Sequence, residues 1–360
     1  MKWTGLMAMA ALAFALIGCG SGDKPATETG GTDGTVSKDG GGETKKKLKV
    51  GVVFDSGGLG DKSFNDSAWA GVQKAVTDFG IEEKHVESKS LKDVETNLQT
   101  LADSGCDIVF AIGINQKDSL EKVAAQYPDT KFAIVDAVPN PELGLKNVRA
   151  LLFKEEEGSF LAGYLAGLTT KTNKLGFVGG QEIPLIKKFY SGYAAGAKAA
   201  NPAVEILPAK YTGDWNNVDM AKAAANLLFD SGADIVYHAA GRAGLGVLDA
   251  AKEKGKFGIG VDGNQDGVAP GNVLTSMVKH VDEAVYSTIK DLQDGKFTTG
   301  EVIYDLKQGG VSLTEMEFTK DKVPADAMGK VDAIKAKIAA GEFKVPATIE
   351  ELETFKAPAQ

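Results

Sequence analysis

The chain has 360 residues, 43% of them hydrophobic and 25% charged, with a formal net charge of −9. That composition is ordinary for a globular protein, the length suffices for two domains, and the acidity disfavours nonspecific binding to nucleic acid. With three histidines, two arginines and two cysteines, little material remains for a metal centre, a phosphate site or a disulfide framework.

The N-terminus reads as a targeting segment. Lys2 precedes an apolar run from Leu6 to Ile17, which has signal-peptide length and is too short for a comfortable membrane span. The run ends in Leu16-Ile17-Gly18-Cys19, which looks like a bacterial lipobox with lipid attached to Cys19 after cleavage. Residues 1–18 are therefore expected to be a signal peptide, and 19–47 a lipidated cysteine with a flexible tether. Gly, Ser, Thr, Asp and Lys dominate that tether, which cannot bury enough surface to fold. Lys45-Lys46-Lys47 is its solvated end. The body is expected outside the cytoplasmic membrane, on the periplasmic or extracellular face, anchored only through lipid.

The body begins with a strand over 48–54, followed by the loop Asp55 to Lys62. Ser63 is placed to cap a helix carrying Phe64, Trp69, Val72, Val76 and Phe79 at helical spacing. A short strand near His85–Ser88, a helix from Asp93, a strand over 107–112, a helix from Lys117 and strands over 131–135 and 147–152 follow. Cys106, just before an apolar strand, reads as a small buried hydrophobe. The Gly- and Ala-rich segment 155–170 predicts a closely packed helix. A second series then runs as strand 174–178, helix 185–200, strand 204–208, helix 218–230, strand 234–237, helix 243–254 and strands 258–261 and 273–277. A helix over 281–294 returns to the first lobe, and a strand over 301–306 and C-terminal helices finish the chain.

Within this order one statement occurs twice. Residues 101–110 read LADSGCDIVF and residues 228–237 read LFDSGADIVY. Further on, Phe132 opens FAIVDA, which delivers Asp136, and Phe257 opens FGIGVDG, which delivers Asp262. The repeat predicts an α/β protein of two Rossmann-like lobes with mainly parallel sheets. The expected division is 48–152 plus about 280–300 for lobe 1, and 153–279 plus about 301–360 for lobe 2, joined by a hinge that the chain crosses several times. Ligands of parallel α/β sheets sit beyond the carboxyl ends of the strands. Facing lobes would turn Asp136 and Asp262 into one cleft, as in a clamp-like binding protein.

Enzyme signatures are missing. His85, His238 and His280 lack metal-ligand spacing, and neither a phosphate-binding loop nor a serine nucleophile elbow is present. Gly241-Arg242-Ala243-Gly244-Leu245-Gly246 opens a helix but has the wrong glycine order for a dinucleotide fingerprint. No cofactor is expected, and the ligand is expected to be uncharged rather than a nucleotide.

Several strings resemble the basic membrane protein family of bacterial lipoproteins, close to its purine nucleoside receptors. They are Phe54-Asp55-Ser56-Gly57-Gly58 leading to Asp61-Lys62-Ser63-Phe64-Asn65, then Ile134-Val135-Asp136-Ala137, Gly158-Ser159-Phe160-Leu161-Ala162-Gly163, Ile259-Gly260-Val261-Asp262 and Leu274-Thr275-Ser276-Met277-Val278-Lys279. They span nearly all of the body in the family's order, and Asp-Lys-Ser-Phe-Asn is the most specific.

The resemblance implies the type I periplasmic-binding-protein fold. It also implies a substrate-binding subunit of an ABC transporter that takes up nucleosides, partnered by a permease and its ATPase. By motif, Asp55 and Asp136 would accept hydrogen bonds from the ligand with Asn65 nearby. Phe64 would stack on one face of the base and Trp215 on the other, with Tyr211 and Phe189 as rivals for the second aromatic. Gly241, Asp262 and Lys279 would hold the ribose hydroxyls; apart from the resemblance, the opposite charges of Asp262 and Lys279 also allow them to pair. Arg242 departs from the family, which often has glycine there; it is placed to alter the sugar contact or reach a carboxylate.

The reading is a monomeric receptor, not an enzyme, for guanosine, inosine or adenosine. A sugar receptor on the same fold and an adhesion or interaction lipoprotein are the alternatives.

Overall fold

The structure is a computed structural model describing residues 47–358. The expected signal peptide, Cys19 and all of the tether except Lys47 lie outside the described residues.

The first half runs β1 (Lys49–Phe54), α1 (Phe64–Phe79), β2 (Glu82–Glu87), α2 (Leu91–Asp103), β3 (Ile108–Ile112), α3 (Lys117–Gln126), β4 (Lys131–Val135) and β5 (Val148–Phe153). The second half runs α4 (Glu155–Thr169), β6 (Lys174–Gly179), α5 (Pro184–Ala200), β7 (Glu205–Ile206), β8 (Lys210–Tyr211), α6 (Val218–Asp230), β9 (Ile235–Ala239), α7 (Leu245–Glu253), β10 (Phe257–Asp262) and β11 (Val273–Lys279). The chain ends with α8 (Val281–Gln293), β12 (Gly300–Tyr304), β13 (Val311–Leu313), α9 (Ala327–Ala339) and α10 (Ile349–Thr354).

Two sheets result, ordered β12-β5-β4-β3-β1-β2 and β13-β11-β10-β9-β6-β7, with β8 also on β6. Every pairing is parallel except that of β13 with β11. Written in chain order, the two sheets have one topology, and the repeated Asp-Ser-Gly strings fall at the α2–β3 and α6–β9 junctions. Fully buried strands such as Ile108–Ile112 and Ile235–Ala239 explain the uninterrupted apolar runs. Apolar clusters line both faces of each sheet, and Cys106 is a buried free thiol within one of them.

The halves exchange helices. After β5 the chain crosses over, and α4 packs on α5 of the second lobe. After β11 it crosses back, and α8 packs on α1 of the first. Both contacts bring backbones together. A Cβ on Gly192 of α5 would lie 2.1 Å from the Glu156 carbonyl oxygen, and one on Gly71 of α1 would lie 2.2 Å from that of Asp282. Glu156 and Asp282 are the second residues of α4 and α8. The repeat thus extends to the packing.

Two expectations are corrected. The return to lobe 1 was expected to end near residue 300, but β12 pairs in parallel with β5 from Gly300 to Tyr304, so the chain crosses last between β12 and β13. The strand expected over 204–208 is only β7, because Pro208 has no N–H to donate to a ladder; the chain resumes pairing on β6 as β8.

Gly71 and Gly192 are where added volume has nowhere to go. Gly71→Ala and Gly192→Ala are each expected to lower unfolding free energy by about 1–3 kcal/mol. Gly329, inside α9 with nothing near its Cβ position, is the contrast: Gly329→Ala should be neutral or add up to about 1 kcal/mol. Urea denaturation of the three variants checks this, and equal losses at all three would contradict the packing argument.

Candidate functional site

Parallel strands deliver their carboxyl-end loops to a common edge, and here the two edges face each other. Asp55 follows β1, Asp136 follows β4, and Asp262 ends β10. Asp136 and Asp262 occupy equivalent positions and share a left-handed backbone, with φ of 69° and 63°. A short polar side chain tolerates that conformation where a β-branched one does not. Between the edges lies a cavity with about 640 Å³ of empty space, mouth included. All eight residues expected at the site line it: Asp55, Phe64, Asn65, Asp136, Trp215, Gly241, Asp262 and Lys279.

The lobe 1 wall is held by a carboxylate that the sequence reading passed over. Ser63 sits at the N-cap of α1, but its side chain does not cap the helix. Asp61 does so instead, accepting from the backbone N–H groups of Ser63, Asn65 and Asp66 at 2.9–3.1 Å. Asn65 donates its amide hydrogens to Asp55 Oδ1 at 2.9 Å and Asp61 Oδ2 at 3.1 Å, so its orientation is fixed by two acceptors. Burial pushes the Asp55 carboxyl above the usual range, against the lowering effect of Asn65 and the Gly57 N–H.

The Ser63 hydroxyl crosses the cleft and donates to Asp262 Oδ2. The pairing of Asp262 with Lys279 that their charges allow is not the one formed. The lysine hydrogen bonds go elsewhere: Nζ donates to both Asp136 oxygens at 2.6 and 2.7 Å, and it forms an ion pair with Glu155 Oε1 at 3.0 Å. Glu155, the first residue of α4, also takes Lys188 at 2.6 Å. Burial acts to lower the Lys279 pKa, but Asp136, Glu155 and Asp262 outweigh it and hold the ammonium well above its ordinary value. Burial likewise acts to raise Glu155, and Lys279 and Lys188 bring it below the usual range. The rings of Phe153, Phe64 and Phe189 lie 4.9, 5.3 and 5.8 Å from Nζ. Asp262 has no such direct partner. Burial pushes its carboxyl up to about 7, with Lys279 and the Ser63 hydroxyl only partly offsetting.

On lobe 2, Trp215 fits because residue 180 is glycine: a Cβ there would lie 2.3 Å from the indole ring. Gly241, at φ 56°, passes close to the Trp215 backbone. Of the rival aromatics, Phe189 lines the cavity and Tyr211 does not; Tyr211 packs on Gly179. Arg242 lines the mouth and, among the described residues, pairs with no carboxylate; it donates to the carbonyl oxygens of Gly57 and Leu59. Sequence reasoning missed Asp61 and Glu155. An acidic residue opening an apolar crossover helix, and an aspartate two residues before a serine N-cap, were the available signals.

With the geometry established, comparison with known proteins places the chain. A family described as "ABC transporter substrate-binding protein PnrA-like" matches residues 48–348. A CD4+ T-cell-stimulating antigen of Listeria innocua is 37% identical over 88% of this chain and 93% of its own. An "ABC transporter nucleoside-binding protein BmpA" of Lactococcus lactis subsp. cremoris is 34% identical over 92% and 97%. Among solved structures, an ABC transporter solute-binding protein of Aeropyrum pernix K1 superposes with a TM-score of 0.77 at 30% identity, covering 85% of this chain and 96% of that one.

The state of Asp262 has a measurable consequence. Its carboxyl, ordinarily at 3.8, stands at about 7 in the folded protein. Between these values the folded state binds more protons at this position than the unfolded state does. The Asp262 contribution therefore falls as pH rises through that window and is flat above it. Asp262→Asn lacks this dependence, so the stability of the variant relative to wild type should grow from pH 4 to 7, by no more than about 1.4 kcal/mol per pH unit. Denaturant titrations at several pH values measure the gap. A gap moving the other way would mean that Lys279 keeps Asp262 ionised.

Proposed function

The chain belongs to the PnrA-like family of ABC transporter substrate-binding proteins, and we propose that it is a lipid-anchored receptor that captures purine nucleosides between its lobes and hands them to an ABC permease driven by a cytoplasmic ATPase. The observation that carries this reading is the make-up of the cavity: aromatic surface from both lobes, Phe64 on one and Trp215 with Phe189 on the other, bordered by the carboxylates of Asp55, Asp136 and Asp262.

A purine nucleoside is a flat π surface with a polar edge and a vicinal diol. Phe64 and Trp215 take the two faces of the base. Asp55, Asn65 and Asp136 take its polar edge. Gly241 and Asp262 receive the ribose hydroxyls, with Lys279 giving up one of its bonds to Asp136 for a sugar oxygen. Each stacked face contributes about 1–3 kcal/mol, and each hydrogen bond to a charged group about 1.5–3 kcal/mol. After the cost of association and closure, roughly 8 kcal/mol remains, a micromolar site.

The same electrostatics argue against nucleotides. Lys279 is already neutralised by Asp136 and Glu155, and Arg242 at the mouth has its Nε and Nη2 committed to the Gly57 and Leu59 carbonyls, so a phosphate between the lobes would meet mainly carboxylate. The name of the Lactococcus relative, a nucleoside-binding protein, agrees with this reading. Docking on the permease follows from closure, since binding shifts the equilibrium between open and closed lobes.

Isothermal titration of protein that has been unfolded, dialysed and refolded to strip ligand is the test. Inosine, guanosine or adenosine should bind at micromolar affinity or tighter, their 5′-monophosphates and free ribose at least ~100-fold more weakly, a gap of about 2.7 kcal/mol. Asp262→Ala should cost the nucleoside about 2–5 kcal/mol. Tight ribose binding with no response to nucleosides would make this a sugar receptor on the same fold.

A further inference from the structure

Beyond ligand recognition, we propose that the loop from Ser56 to Ser63 is the catch of a latch that holds the lobes together, and that Arg242 is its main bolt. The loop is built to present acceptors. Its N–H groups turn inward: Gly57 N–H to Asp55 Oδ1 at 2.8 Å, Gly60 N–H to Asp66 Oδ1 at 2.7 Å, Lys62 N–H to Asp66 Oδ2 at 3.0 Å and Ser63 N–H to Asp61 Oδ1 at 2.9 Å. Gly58, Gly60 and Lys62 all adopt left-handed φ, which makes this sharp folding of the backbone possible. The carbonyl oxygens of Ser56, Gly57, Leu59 and Lys62 are left facing the other lobe.

Lobe 2 answers each of them with a side-chain donor. Arg242 Nε and Nη2 reach Gly57 O at 3.1 and 2.9 Å, and Nη2 reaches Leu59 O at 2.8 Å. Asn216 Nδ2 reaches Ser56 O at 3.0 Å, and Gln265 Nε2 reaches Lys62 O at 3.0 Å.

The Gln265 amide is itself oriented. Its Oε1 accepts from Val261 N–H at 3.0 Å and from His238 Nε2 at 2.9 Å, so its amide hydrogens must point at the loop. Burial lowers His238 to about 4 and keeps the ring neutral, with a proton on Nε2 to give. These donors occupy the elements after β8, β9 and β10, so the latch is spread along the lobe 2 edge and not confined to one contact.

The latch bonds run from protein to protein and read no feature of a ligand. A residue that only closes the cleft must change every ligand alike, and must act when no ligand is present. Arg242 is the position to test because its fork bridges two carbonyls, which a lysine ammonium cannot reproduce with the same geometry.

The experiment measures closure directly. Spin labels on Val138→Cys of lobe 1 and Asp219→Cys of lobe 2, both exposed, report the distance across the mouth in the full-length protein by electron–electron resonance. Without ligand, Arg242→Ala should move the distribution toward longer distances, with Arg242→Lys in between. Gln265→Ala, acting on a different carbonyl, should shift it in the same sense. The melting temperature of ligand-free Arg242→Ala should fall only slightly, because each lobe keeps its own core and only bonds between the lobes are lost. In stopped-flow release, Arg242→Ala should speed dissociation of inosine and 2′-deoxyinosine by one common factor of about tenfold or more, the change that 1.4 kcal/mol corresponds to.

A distance distribution unmoved by both Arg242→Ala and Gln265→Ala would overturn the latch. So would a loss confined to the ligand with the 2′-hydroxyl, which would make Arg242 a sugar contact. Failure of every nucleoside to bind would sink the proposed ligand, while the ligand-free distances would still decide the latch.

Discussion

One ammonium group sits where the parts of this protein meet. Lys279 ends β11 at the second crossing between the lobes, Glu155 opens α4 at the first, and Asp136 closes β4 in lobe 1. Nζ joins all of them at 2.6–3.0 Å in a place that is almost fully buried. Removing a lysine from water costs several kcal/mol, and only close, well-oriented counter-charges offset it. Here two carboxylates and a ring of phenylalanines do so, and Lys188 holds the far side of Glu155. Such a cluster tolerates little displacement of its members. It therefore fixes the strand ends that frame the cavity, and it ties that frame to the hinge.

This cluster also breaks the symmetry that the duplicated topology would impose. Asp136 and Asp262 stand at the same place in their lobes, at the end of the same strand and in the same left-handed turn. One lies against an ammonium. The other meets a serine hydroxyl from the opposite lobe, and burial pushes its carboxyl up to about 7, so that it titrates close to physiological pH. Burial raises both carboxyls, and the Lys279 ammonium opposes it in direct contact at Asp136 alone, so two identical side chains differ through their surroundings. A cleft made from two equal halves can recognise an unsymmetrical ligand in this way.

Much of this was legible in the chain before any coordinates. The doubled Asp-Ser-Gly strings marked the lobes, because a helix end, a tight turn and a buried strand impose the same residue types wherever they recur. The aspartates after FAIV and FGIGV marked the cleft, because strand ends of parallel sheets converge. Less visible were the partners. Ser63 looked like a helix cap, since caps are local, yet its hydroxyl spans the cleft and Asp61 takes over the capping. Charge alone allowed Lys279 to pair with Asp262, while its partner on α4 is the opening residue of an apolar helix that reads as pure packing. The edge strand β12 was given to the wrong lobe for a similar reason: nothing within Gly300–Tyr304 records which sheet it will join. Local pattern encodes periodicity and turns. Pairing across more than a hundred residues is decided by the assembled sheets.

Arg242 shows how a departure from expectation carries information. Against the pattern of the family it resembles, it is an arginine where glycine is common, beside a cavity that offers it several carboxylates. It bonds none of them and spans to backbone carbonyls on the opposite lobe. Arg242 thus leaves the carboxylates to their own partners on the cavity wall, while its share of closure draws on main-chain acceptors that no side-chain substitution in lobe 1 removes. The Arg242, Asn216 and Gln265 contacts therefore add closure bonds that use none of the cavity carboxylates, beside the Ser63–Asp262 bond that does. In such an arrangement the cavity wall can change to suit another ligand without dismantling the contacts that shut the cleft, since the catch is made of backbone and the bolts lie outside the carboxylate array.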